Sequence, residues 1–111
     1  MARTNVKTLV RKKTTVLSRK DELLNSETAL LCNALGHPMR VQILRLLLDR
    51  NCIFGDLARQ LPLAQSTISQ HLSILKEAGL VSRESLGKHT CYCIECNQVE
   101  RLKGLIGELC C

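Results

Sequence analysis

The chain has 111 residues, 45% apolar but 2% aromatic, which bounds it to one small domain with an aliphatic core that favours helices over an aromatic-rich sandwich or barrel. No stretch approaches the roughly 20 apolar residues of a membrane-spanning helix, and the basic start lacks the apolar run of a secretory signal, so no membrane role and a reducing cytoplasm are expected. The net charge of +6 is uneven: residues 1–20 hold seven Lys/Arg and no acid, the rest nine against ten.

Taken in chain order, residues 1–20 read as a basic N-terminal arm carrying Arg3, Lys7, Arg11, Lys12, Lys13, Arg19 and Lys20. Such an arm suits a polyanion such as nucleic acid, or is a solvated tail. The folded domain is expected over residues 21–111. Leu23, Leu24, Leu30, Leu31, Ala34 and Leu35 recur at helical spacing and predict a helix over 21–35, ended by Gly36 as a left-handed cap. His37-Pro38 restarts the chain, because proline is favoured at a helix's first position. Val41, Ile43, Leu44, Leu46, Leu47 and Leu48 make the second helix nearly apolar all round, which predicts a central, buried element. Residues 52–54 lean towards a short strand. A short helix is expected from Gly55 to Leu61, then a tight Pro62-Leu63-Ala64 turn.

A further helix is predicted from Gln65 to Ala78, with Ile68, Leu72 and Leu75 on one face and Gly79 as its cap. Residues 80–84 and 89–94 read as two strands joined around Gly87-Lys88, a hairpin with a basic tip. Asn97 and Glu100 resemble a capping box that opens a last helix over 97–110. The fold class is therefore mainly α with a small β wing, in the order α-α-β-α-α-β-β-α: a winged helix-turn-helix. With the apolar face of the helix from Gln65 pinned inward, Gln65, Ser66, Thr67, Ser69, Gln70 and His71 are expected to face solvent. A row of short hydrogen-bonding side chains suits base edges and phosphates in a major groove.

At these residues the chain resembles the ArsR/SmtB family of bacterial winged-helix repressors. The likeness is carried by Ala34-Leu35-Gly36-His37-Pro38-Met39-Arg40-Val41-Gln42-Ile43-Leu44, Gly55-Asp56-Leu57-Ala58, Gln65-Ser66-Thr67-Ile68-Ser69-Gln70-His71-Leu72 and Leu75-Lys76-Glu77-Ala78-Gly79-Leu80-Val81. It covers roughly residues 22–107. The resemblance implies a cytoplasmic bacterial repressor, a homodimer formed through its first and last helices. It implies a palindromic double-stranded operator, bound without a cofactor and released when an inducer binds. It assigns DNA contacts to the helix from Gln65, with Lys76 further along it, and to Arg83, Lys88 and His89 on the wing. One departure is Ala64, where such proteins often carry a capping Ser or Thr; Ser66 is expected to supply part of that cap.

Seven cysteines are many for this length, and an odd number in a reducing compartment argues against a disulfide framework. The resemblance places metal sites at positions that this chain does not fill. Its last helix has no histidine. The cysteine positions ahead of and after Asp56-Leu57 are Ile53, Gly55 and Ala58, with Cys52 one residue out of register. Another site is expected on the small sheet. Cys91 and Cys93 are two apart on one strand and so share a face, Cys52 is expected beside them at the cross-strand distance of about 4.5–5.5 Å, and Cys96 to fold back from the strand end. Such thiolates suit arsenic(III), antimony(III), cadmium(II) or lead(II) as inducer. Cys110 and Cys111 form a second candidate site, while Cys32 reads as a small buried hydrophobe.

No nucleophile–base pair, glycine-rich phosphate loop or carboxylate pair stands out, so an enzyme is not expected. The reading is a DNA-binding repressor released by a thiophilic metal or metalloid. The alternatives are a thiol-redox or persulfide-responsive repressor of the same fold, in which strand neighbours two apart are poorly placed for a disulfide, and a winged-helix adaptor that senses nothing.

Overall fold

A computed structural model of the chain describes residues 18–49 and 52–109. Its helices are α1 (Arg19–Ala34), α2 (Pro38–Asp49), α3 (Phe54–Gln60), α4 (Gln65–Glu77) and α5 (Cys96–Gly107), and its strands β1 (Cys52–Ile53), β2 (Val81–Leu86) and β3 (His89–Ile94). The strands form one antiparallel sheet in the order β1-β3-β2. The α-α-β-α-α-β-β-α order is the expected one.

Local chemistry explains most boundaries. Ser18 caps α1, accepting from the Asp21 amide at 3.1 Å while the Asp21 carboxylate accepts from the Ser18 amide, a reciprocal cap that places Arg19 and Lys20 inside the helix rather than in an arm. Gly36 was expected in the left-handed region, but positive φ occurs only at Gly79 and Gly87 among the described residues. Glycine suits position 36 for a different reason: a Cβ there would stand 3.2 Å from the Asn33 carbonyl oxygen. The C-terminus of α4 is a Schellman turn, with the Leu80 amide on the Leu75 carbonyl at 3.0 Å and the Gly79 amide on that of Lys76 at 2.9 Å.

Gly79 sits at φ +81°, where a Cβ would also meet the Gln98 amide group at 3.2 Å. Gly79→Ala is expected to destabilise the fold by about 1 kcal/mol or more, read as a lower urea midpoint at unchanged slope. An unchanged midpoint would refute the turn geometry. Gly87, at φ +62°, starts the two-residue turn that joins Leu86 to His89.

The expected capping box at Asn97 does not form. The strand ends at Ile94 as expected but the helix starts earlier: the Glu95 amide bonds the Leu80 carbonyl at 2.9 Å, Glu95 becomes the N-cap without a side-chain bond, and Asn97 falls inside the first turn of α5. The core is aliphatic, with Leu31, Ile43, Leu57, Ile68, Leu72, Leu75 and Leu80 fully buried. The second helix is less enclosed than its composition predicts, since Ile43 and Leu47 are buried but Leu48 is 71% exposed. Helices α1 and α5 are tied by a bidentate ion pair, Arg101 to Glu27 at 2.8 and 2.9 Å, which holds the Glu27 carboxyl below its ordinary pKa. No helix among the described residues is long and apolar enough to cross a membrane.

Candidate functional site

The site begins with the turn between α3 and α4. Ala64 caps α4 with no side-chain hydrogen bond; its carbonyl accepts from the Thr67 and Ile68 amides at 3.0 and 3.1 Å, and the expected Ser66 cap is not formed. Ile68, Leu72 and Leu75 point into the core. That fixes the helix's rotation and leaves Gln65, Ser66, Ser69, Gln70 and Lys76 exposed, with Thr67 half-buried. Ser73, which sequence reasoning passed over, joins them: Ser69, Gln70, Ser73, Ile74 and Glu77 line one open hollow on the outer side of α4. Its spacing from Ser69 and Gln70, four and three residues, was the available signal.

His71 does not face outward with that row. It is 8% exposed and packs inward, its Nδ1 3.3 Å from Nη1 of Arg40 and its ring against that of His37. The reason is helical spacing: position 71 lies three residues from Ile68 and one from Leu72, on the buried stripe. Burial first, then His37 and Arg40, lowers its pKa. His37 acts as a cap, its Nδ1 accepting from the Met39 amide at 3.0 Å. The wing beside α4 exposes Arg83, Lys88 and His89, the latter two at its tip with Leu86.

The cysteines divide differently from expectation. Cys91 and Cys93 share one face of β3, with Glu84 opposite Cys91 and Ser82 opposite Cys93. Cys91 is buried and Cys93 half-buried. Burial raises the pKa of Cys93, and Cys91, Glu84 and Glu95 raise it further. The β1–β3 register pairs position 52 with Tyr92 and Ile53 with Cys91, while the Cys52 side chain lies outside what the structure describes. Cys96 is exposed at the start of α5, beside Leu44, Leu48, Ile94, Val99 and Glu100. Among the described residues no three His, Cys, Asp or Glu side chains are grouped closely enough to hold a metal ion. Cys32 is exposed rather than buried, because α1 turns only Leu31 and Ala34 fully into the core. Cys110 and Cys111 lie outside the described residues, as do positions 1–17 of the basic arm.

Comparison with known proteins agrees with this geometry. Residues 37–83 match the family described as bacterial regulatory protein, arsR family. The chain is 32% identical over 87 residues to the transcriptional activator HlyU of Vibrio cholerae, covering 78% of this chain and 81% of that protein. A solved structure of reduced HlyU matches with a TM-score of 0.67 at 31% identity, over 85% of this chain and 99% of that one. The transcriptional regulator CmtR of Mycobacterium tuberculosis is 39% identical over 83 residues, covering 75% of this chain and 70% of the relative. A crystal structure described as a possible transcriptional regulator for arsenical resistance matches with a TM-score of 0.66 at 30% identity, over 72% of this chain and 82% of that one.

Proposed function

Because the chain belongs to the arsR family of bacterial regulatory proteins, and so is a DNA-binding transcriptional regulator and not an enzyme, we propose that it is a homodimeric repressor that leaves its operator when a thiophilic metal or metalloid engages its cysteines. The observation that carries the DNA reading is the division of α4 into a buried aliphatic stripe and an exposed ridge of Gln65, Ser66, Ser69, Gln70 and Ser73. These side chains donate and accept without a fixed charge, as base-edge reading requires. Arg83, Lys88 and His89 on the wing, Lys76 on α4 and the basic arm supply the phosphate contacts that hold register.

Dimerisation through the first and last helices is supported by apolar surface left open on them: Leu23 and Leu30 on α1 are 63% and 52% exposed, and Ile106 on α5 is 40% exposed. A second copy covering those residues would set two α4 ridges side by side on a palindrome.

For the inducer, Cys91 and Cys93 offer a two-thiolate grip suited to arsenic(III), antimony(III), cadmium(II) or lead(II). They supply two ligands, not three, so a third comes from Cys96 after movement or from outside the described residues. The raised pKa of Cys93 favours this reading over redox sensing. A protonated thiol attacks peroxide or polysulfide slowly, whereas a soft metal displaces the proton as it binds. The likeness to a regulator described for arsenical resistance points the same way. Adding arsenite, cadmium or lead to the reduced protein is expected to give ultraviolet thiolate-to-metal absorption and loss of the DNA mobility shift, both abolished in Cys91→Ser and Cys93→Ser. An unresponsive wild type would remove the metal reading; a response kept in both variants would move the site to Cys110 and Cys111.

A further inference from the structure

Three side chains outside the reading ridge and the thiol pair meet where α1, α2 and α4 converge. Arg40, in the first turn of α2, donates through Nε to the Ala34 carbonyl at 2.6 Å and through Nη2 to that of Asn33 at 3.3 Å. These carbonyls end α1, whose own last turn has no basic residue, so Arg40 supplies the cation favoured at that pole. Its Nη1 lies 3.3 Å from Nδ1 of His71 on α4. A guanidinium only donates, so this Nδ1 accepts and the His71 proton sits on Nε2. His37, in the turn between α1 and α2, accepts the Met39 amide on its own Nδ1 at 3.0 Å, and its ring centroid is 4.6 Å from that of His71. Both imidazoles therefore use Nδ1 as an acceptor, and a second proton on either removes it. The charged or titratable groups that bear on the His71 ring are His37, from the α1–α2 turn, and Arg40, from α2.

We propose that Arg40, His71 and His37 form a latch that seats α4 against the end of α1, and that protonating the latch at mildly acid pH unseats α4 and weakens DNA binding. Arg40 and His71 are positioning residues here; neither needs to touch DNA. The proposal rests on α4 being the DNA-reading helix. An imidazolium at position 71 would face the Arg40 guanidinium at hydrogen-bond distance with no acceptor between them, so the ring must leave its pocket and the helix must shift. Burial disfavours the charged form, so the neutral latch is intact above the ordinary histidine pKa of 6.5 and fails as pH falls below it. The sign is distinctive. Simple attraction between protonated histidines and phosphate, His89 on the wing included, would tighten binding on acidification.

The test uses the full-length protein, reduced and metal-free, and a duplex that it selects at about pH 7.5 from random-sequence DNA. At constant ionic strength, fluorescence anisotropy is expected to show affinity falling roughly tenfold between about pH 7.5 and about pH 5.5. The double variant His37→Asn with His71→Asn keeps an acceptor near each Nδ1 position without a titrating ring. It is expected to bind at neutral pH as the wild type does and to lose the acid decline. Binding that tightens or stays level in the wild type, or an undiminished decline in the double variant, would overturn the proposal. Imidazole nitrogen NMR without DNA is an independent check, because it needs no operator: the latch requires the Nε2–H tautomer at His71, and an Nδ1–H tautomer would refute it. Failure to select any duplex would instead refute the DNA reading and leave the NMR result to stand on its own.

Discussion

Truncating Leu72 to alanine is expected to lower the unfolding free energy by about 3 kcal/mol, within the 2–5 kcal/mol typical of buried leucine losses. Leu72 is 1% exposed and belongs to the single cluster that joins Leu31 of α1, Ile43 of α2, Leu57 of α3 and Leu105 of α5. The cavity would open beneath the helix that carries the reading ridge, so stability and DNA binding should fall together. For a domain of this size the melting temperature should drop by roughly 10–20 °C. The exposed neighbour Ser73 makes the control, since Ser73→Ala should change stability by about 0.5 kcal/mol or less. A Leu72→Ala loss below about 1 kcal/mol would mean that α4 does not pack as described.

The second large effect is functional. Replacing Ser69 and Gln70 together by alanine should weaken binding to the selected duplex by about a hundredfold, taking about 1–3 kcal/mol for each good base contact. Both side chains are exposed on α4, so the melting temperature should hold. The loss should fall mainly on sequence discrimination, with the salt dependence of binding little changed. An equal loss on unrelated duplexes would reassign the pair to phosphate contact, and no loss would remove the ridge from the interface.

Much of this was legible because the signals were periodic. Ile68, Leu72 and Leu75 set both the existence and the rotation of α4, and of the three glycines expected at a cap or turn, Gly79 and Gly87 have a positive φ while Gly36 does not. The same periodicity placed His71 on the buried stripe, but its polarity suggested the opposite face. Its partners Arg40 and His37 are 31 and 34 positions away, a separation that no local pattern encodes. The thiols illustrate register. Strand content announced the sheet, yet which residues of β1 and β3 stand opposite one another is set by the pairing register, which strand composition does not encode. Cys32 looked like a core residue by type, but a helix with few buried positions leaves most of its length uncovered.

Around Leu80 three elements are knotted within a few residues. The end of α4 is closed by the Leu80 amide, β3 departs from the Leu80 carbonyl, and the Gln98 side chain of α5 holds the Ala78 carbonyl at 3.0 Å. The polar ridge, the wing and the terminal helix are thus joined through the backbone of residues 78–80. A displacement of α5 or of β3 would therefore reach the C-terminal end of α4 first, through residues 78–80.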